Sequence, residues 1–151
     1  MPKDRDAFVL ERPTDLAFAD GSLGIDDACL AAGAARVCVA STLARDGGAE
    51  ASYRVERLPL SLIAAYAAPD SEIEVTGLVE GNGRFARTAE GALTGDAVLS
   101  ATPGRLGWPG RDEPALAAWS ELRVDARRAA DGMHATLRAT LDGGGRVAAN
   151  A

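Results

Sequence analysis

Lysine is almost missing from this chain: Lys3 is the only one, and the other basic residues are arginines. With 16 bases against 22 acids the formal net charge is −6, so no basic excess is there to hold a phosphate backbone or an anionic membrane surface. Nucleic acid is therefore not an expected partner. Histidine occurs once, at His134, and cysteine twice, at Cys29 and Cys38. No Cys-x-x-Cys and no His-Glu-x-x-His pattern is present, so no metal site and no cofactor are expected. The longest apolar run free of charge and glycine, Leu58 to Ala68, falls short of the ~18–20 residues that span a bilayer. The opening Met1-Pro2-Lys3-Asp4-Arg5-Asp6 has no apolar stretch and no small-residue cleavage site, so no secretory signal is read there.

Large apolar side chains are also scarce. The apolar class makes up 47% of the 151 residues, but 32 of its members are alanines, and aromatics reach 5%. A compact chain of this length buries about 68–70% of its unfolded surface. Here the material for a filled interior is thin, and a long, shallow or open structure with small inward side chains fits as well as a globule.

What the chain has in quantity is period-2 alternation. From Met133 to Leu141 the odd positions are Met, Ala, Leu, Ala, Leu and the even ones His134, Thr136, Arg138 and Thr140, the pattern of a strand with one buried face. The same alternation predicts strands at Glu50 to Val55, Leu122 to Ala126 and around Ile73 and Val75. Weaker runs predict others at Phe8 to Leu10, Asp15 to Phe18, Asp27 to Leu30, Arg36 to Ala40 and Gly95 to Ala101. About nine strands result, punctuated by turns such as Asp20-Gly21, Asp46-Gly47-Gly48, Asp131-Gly132 and Asp142-Gly143. A short helix is expected over about 59–66, opened by Pro59 and stopped by Pro69-Asp70. The stretch from Thr102 to Ala118, with three prolines, reads as an irregular connection. The final residues read as a strand beginning, from which a longer parent chain is expected.

Few residues suggest chemistry. Cys29 and Cys38, nine apart, sit on two runs joined by a small-residue turn. A hairpin brings cross-strand Cα atoms to ~4.5–5.5 Å, inside the disulfide range, and two buried free thiols fit the composition equally. A Cys38–His134 nucleophile pair would make the protein a thiol enzyme, although His134 lies on the polar side of its strand. Gly81-Asn82-Gly83-Arg84-Phe85-Ala86 matches a dinucleotide-loop form, but no helix follows it to face a pyrophosphate, so a glycine-eased bend or bulge is expected instead. Asp70, Glu72 and Glu74 read as a solvated face.

The order Cys29…Cys38-Val39, Ala51-Ser52-Tyr53-Arg54-Val55-Glu56-Arg57-Leu58-Pro59-Leu60-Ser61-Leu62-Ile63, then Ser71-Glu72-Ile73-Glu74-Val75-Thr76-Gly77-Leu78-Val79-Glu80-Gly81 resembles TamB, the translocation and assembly module family of the AsmA-like group. The resemblance covers about residues 25–151. It implies an all-β architecture: an elongated, curved antiparallel sheet folded into an open trough with one short helix. It also implies a periplasmic setting, an inner-membrane anchor and an outer-membrane barrel partner that belong to other parts of the family's proteins, and phospholipid acyl chains as cargo. Paired cysteines ahead of the Leu58-Pro59-Leu60 segment agree with the family and imply a Cys29–Cys38 disulfide. Carried over, the groove would be lined by Tyr53, Val55, Ile73, Val75, Ala97, Leu99, Leu122, Val124, Met133, Leu137 and Leu141. On this reading residues 1–151 form a single interior trough segment and not an enzyme. A closed β-barrel or sandwich that binds a small apolar ligand is the alternative.

Overall fold

A computed structural model describes residues 8–108 and 116–150. In chain order the elements are β1 (Val9–Leu10), β2 (Leu16–Ala19), β3 (Ser22–Ala32), β4 (Ala35–Leu43), β5 (Ala49–Pro59), α1 (Leu60–Ala67), β6 (Glu74–Val75), β7 (Leu78–Arg87), β8 (Leu93–Ala101), β9 (Gly104–Gly107), β10 (Ala117–Ala129), β11 (Gly132–Leu141) and β12 (Arg146–Asn150). All strands join one antiparallel sheet in the order β1-β3-β4-β5-β7-β8-β10-β11-β12. β2 shares the outer edge of β3 with β1, and β9 continues the line of β8, pairing β6 on one side and β10 on the other. The first and last strands do not pair with each other, so the curved sheet stays open. That excludes the closed barrel.

Local chemistry explains the path. At Asp20-Gly21 both residues have positive φ, 52° and 77°, as a two-residue hairpin between β2 and β3 requires. The register slips at three places, between Ile25 and Ala28, between Val55 and Leu58, and between Trp119 and Glu121. Each slip adds a residue, so Ile25 and Ala28, Val55 and Leu58, and Trp119 and Leu122 keep the same face, where strict alternation would have turned them apart. Asp27 and Arg57, with φ of 39° and 51°, absorb two of these bulges.

The cross-strand registers sort the strand residues into two faces. One carries Leu30, Val37, Val39, Ala51, Tyr53, Val55, Val79, Leu99, Val124 and Leu137, among others. The other carries Arg36, Arg54, Glu56, Arg84, Asp96, Arg123, Asp125 and Arg138. Sequence alternation has therefore produced an apolar and a charged side. Burial is sparse. On the apolar face the buried residues are Ala35, Val79, Gly83, Ala101 and Trp119, and on the charged face Cys29 and Cys38. Helix α1 contributes no buried residue and has no side-chain cap; the Leu60 N–H donates to the Gly77 carbonyl at 2.9 Å, tying it to the segment before β7.

Three expectations need correction. Within the stretch expected to be irregular, residues 104–107 form β9 and β10 begins at Ala117, while 109–115 lie outside the described residues. The Gly81–Ala86 segment is not a bend. It runs as regular β7, paired without interruption to β8; the bulge lies in the neighbouring β5. Ile73 stands before β6 in a turn where its N–H donates to Ser71 Oγ at 3.1 Å, so no strand pairing assigns it to the apolar face.

Candidate functional site: the apolar face of the sheet

Registers place Tyr53, Val55, Val75, Ala97, Leu99, Leu122, Val124, Met133, Leu137 and Leu141 on one side of one sheet. Val55 faces Gly81, Gly81 faces Leu99, Leu99 faces Val124, and Val124 faces Leu137, a single row that crosses five strands. The next row toward the tight turns is Tyr53, Gly83, Ala97, Ala126 and Ala135. The rows are apolar, and glycine and alanine keep them shallow. Tyr53 and Phe85 stack with ring centroids 6.3 Å apart and planes 17° from parallel. Partial burial, with the charge of Asp96 as a smaller contribution, raises the Tyr53 phenol above its ordinary range.

Among the described residues no second sheet lies over this face, and the short α1 packs at one end of it, near β5, β6 and the β3–β4 tip. Leu16, Phe18 and Met133 on the apolar side are 69%, 77% and 65% exposed. A notch of about 240 Å³ lies between α1 and the β3–β4 tip, lined by Ala32, Ala35, Leu62, Ala65 and Tyr66 among others. At the opposite, tight-turn end a cleft of about 730 Å³ touches six strands, from Ile25 in β3 to Arg128 in β10, and draws residues from both faces.

On the charged side Cys29 and Cys38 are directly opposed, Cα–Cα 4.0 Å, and joined in a disulfide. Arg54, opposite Cys38 in β5, places Nη2 3.7 Å from its Sγ. Around them Glu11 accepts from Arg36 at 2.7 Å, Asp27 accepts from Arg12 at 3.3 Å, and Glu56 forms an ion pair with Arg54 at 3.1 Å. The hydrogen bond from Arg36 to Glu11 and the nearby carboxylate charges raise the Arg36 guanidinium above its usual range. Such exposed pairs each contribute little to stability. Further along, a hydrogen bond from Arg123 holds the Asp125 carboxyl below the usual carboxylate range.

The bonded sulfurs settle two sequence alternatives. Cys38 has no free thiol with which to form a nucleophile pair with His134, whose Nε2 instead lies 3.2 Å from Asp131 at the β10–β11 turn. Asp27, Cys29 and Cys38 cluster within 4.8 Å; with the sulfurs joined to each other, the cluster leaves one carboxylate as a ligand. Two features of the site escaped the sequence. Trp119 is the largest buried side chain on the apolar face, at 8% exposure, and Arg87 and Arg128 are the two charged residues that strand pairing brings to it.

The disulfide closes a short loop, and the chain-entropy relation for that length predicts a loss of about 2.6 kcal/mol on replacing both cysteines by alanine. Since Cys29 and Cys38 are 4% and 2% exposed, reduction is expected to be slow in the folded protein and fast in urea. Urea titration of the double variant, with thiol counting before and after unfolding, checks both. Rapid reduction of the native state would contradict the shielding.

Comparison of the chain with protein-family models, with curated proteins and with solved structures finds no match. Among the described residues no helix is long and apolar enough to cross a membrane.

Proposed function

We propose that this chain holds lipid acyl chains along the apolar face of its sheet, as one segment of a periplasmic, TamB-like trough that shields phospholipid tails in transit and supports outer-membrane biogenesis. The observation that carries the reading is a face, apolar across nine consecutive strands of the sheet order, over which no second sheet lies among the described residues. A β domain with a dry core stacks a second layer on such a face, and a contiguous exposed apolar surface marks a site of interaction. Acyl chains match it: each CH₂ removed from water contributes about 0.8 kcal/mol, and rows built of Gly, Ala, Val and Leu offer contact without deep wells that would trap a chain. The buried disulfide favours an oxidising compartment, in keeping with the periplasm. Contact with an outer-membrane barrel is assigned to other parts of the parent protein, and the reading includes no catalytic step.

The two faces provide the test. A photoreactive amino acid at Leu137, on the apolar face, is expected to crosslink to dispersed phospholipid, and one at Thr136, its neighbour on the charged face, to give none. Leu137→Arg should lower lipid binding about tenfold, the effect of losing one buried leucine contact, with the far-ultraviolet β signature kept. Equal adducts from both positions, or none from either, would overturn the proposal.

A further inference from the structure

We infer, resting on the acyl-chain reading above, that the apolar face is polarised: its tight-turn end receives the anionic headgroup of an amphiphile between Arg87 and Arg128, and the tail runs toward α1. Every carboxylate in the paired strands outside the bulges lies on the opposite face, Glu50, Glu56, Glu74, Glu80, Asp96, Glu121 and Asp125. The apolar face carries two charges, both positive and both at one end. Arg87 faces Leu93 and Arg128 faces Gly95, successive positions on the same face of β8. The two arginines thus flank one strand across two inter-strand spacings and a two-residue stagger, roughly 12 Å on the diagonal, a span that two guanidinium groups can close from either side. Between them Phe85, 38% exposed, lies over Gly95, whose missing side chain leaves the room.

Face, and not pairing alone, separates these two from the other paired strand arginines. Arg36, Arg54, Arg84 and Arg123 each meet a carboxylate within 4 Å on the charged face. Arg87 and Arg128 meet none among the described residues. Arg105, Arg127, Arg138 and Arg146 also meet no carboxylate within 4 Å among the described residues, but they lie on the charged face. Guanidinium forks match phosphate and carboxylate oxygens in pairs, and beside an apolar surface the attraction is less screened than in open water. From that end the rows behind Phe85 are Gly83 with Ala97, Gly81 with Leu99 and Val79 with Ala101, an uncharged path to the α1 end. Among the paired strand positions of this face a cationic headgroup would find no counter-charge; the acids lining the cleft at this end, Asp26, Glu50 and Asp96, belong to the β3 bulge or to the charged face.

Two amphiphiles with the same tail test this: hexadecyl phosphate and hexadecyltrimethylammonium, each below its aggregation concentration, displacing a fluorescent fatty-acid probe from the intact chain. The phosphate is expected to bind at least about tenfold more tightly, the worth of one charge-assisted hydrogen-bonded contact, against the pull of the protein's net charge of −6. Arg87→Gln with Arg128→Gln should erase the preference, and Arg127→Gln, on the charged face, should keep it. Equal binding of both amphiphiles, or a preference that survives the double variant, overturns the headgroup assignment and leaves the acyl-chain reading standing. Displacement by inorganic phosphate alone would make this a bare anion site and overturns it too. Binding of neither amphiphile overturns both readings.

Discussion

Truncating Trp119 to alanine is expected to destabilise the protein by about 3–5 kcal/mol, the range for removing a buried tryptophan. In a single-layer sheet this indole does what a second layer does elsewhere. It sits on the apolar face where the ladder is interrupted, between β6 and β7 on one side and β8 and β9 on the other. At that break threonine hydroxyls replace lost strand contacts: Leu78 N–H donates to Thr102 Oγ1 at 2.9 Å, and Arg105 N–H to Thr76 Oγ1 at 3.2 Å. Trp119 covers the joint, its Nε1–H donating to the Thr102 carbonyl at 3.0 Å and its ring lying against Gly104, where an added Cβ would stand 2.7 Å from Cζ2. Trp119→Phe keeps most of the area and loses the donor, so about 1–2 kcal/mol is expected. Urea midpoints of the two variants measure both effects. A loss below about 1 kcal/mol for the alanine variant would mean that the joint holds without the ring.

The alternation that makes this sheet was readable, and its irregularities were not. Met133 to Leu141 and Glu50 to Val55 alternate cleanly, and both are strands with the faces the pattern implies. Ten of the eleven residues named for the groove share a face because the side-chain period of a strand is 2 and each bulge adds one residue to conserve it. Bulges cannot be seen in such a pattern, since a skipped residue looks like the end of a strand. That is why β3, β5 and β10 run longer than the alternation suggests. Prolines near β9 masked a strand that pairs over four residues. The two glycines of β7 suggested a bend because glycine is flexible in isolation. Their role depends on side chains from other strands, Tyr53 and Leu99, which no local window contains. Arg87 and Arg128 were hidden for the same reason: each belongs to a different strand, and only the pairing of both with β8 makes them neighbours.

Gly83, like Gly81, Gly95 and Gly104, is a position where a single added carbon has no room, and it is the one whose clash can be divided between a side chain and the ladder. It is buried and its φ is not in the left-handed region, so backbone freedom is not what it supplies. It supplies space. A Cβ there would stand 2.5 Å from Tyr53 Cε1 and 2.8 Å from the Asp96 carbonyl oxygen, a flexible ring on one side and ladder backbone on the other. Gly83→Ala is expected to cost about 2–3 kcal/mol through this overpacking, and Gly83→Val more, enough to leave much of the chain unfolded at ordinary stabilities. The two clashes separate in a double-mutant cycle. Tyr53→Ala in the Gly83→Ala background should recover the part caused by the ring and leave the part caused by Asp96, a coupling of about 1 kcal/mol or more between residues in contact. Gly145→Ala is the control, because its Cβ would meet Leu141 at an ordinary 3.7 Å, and a change within about 0.5 kcal/mol is expected there. Additive effects at Gly83 and Tyr53 would show that the ring does not rest on the glycine. The shallow rows of the apolar face would then owe their shape to something other than side chains lying over missing ones.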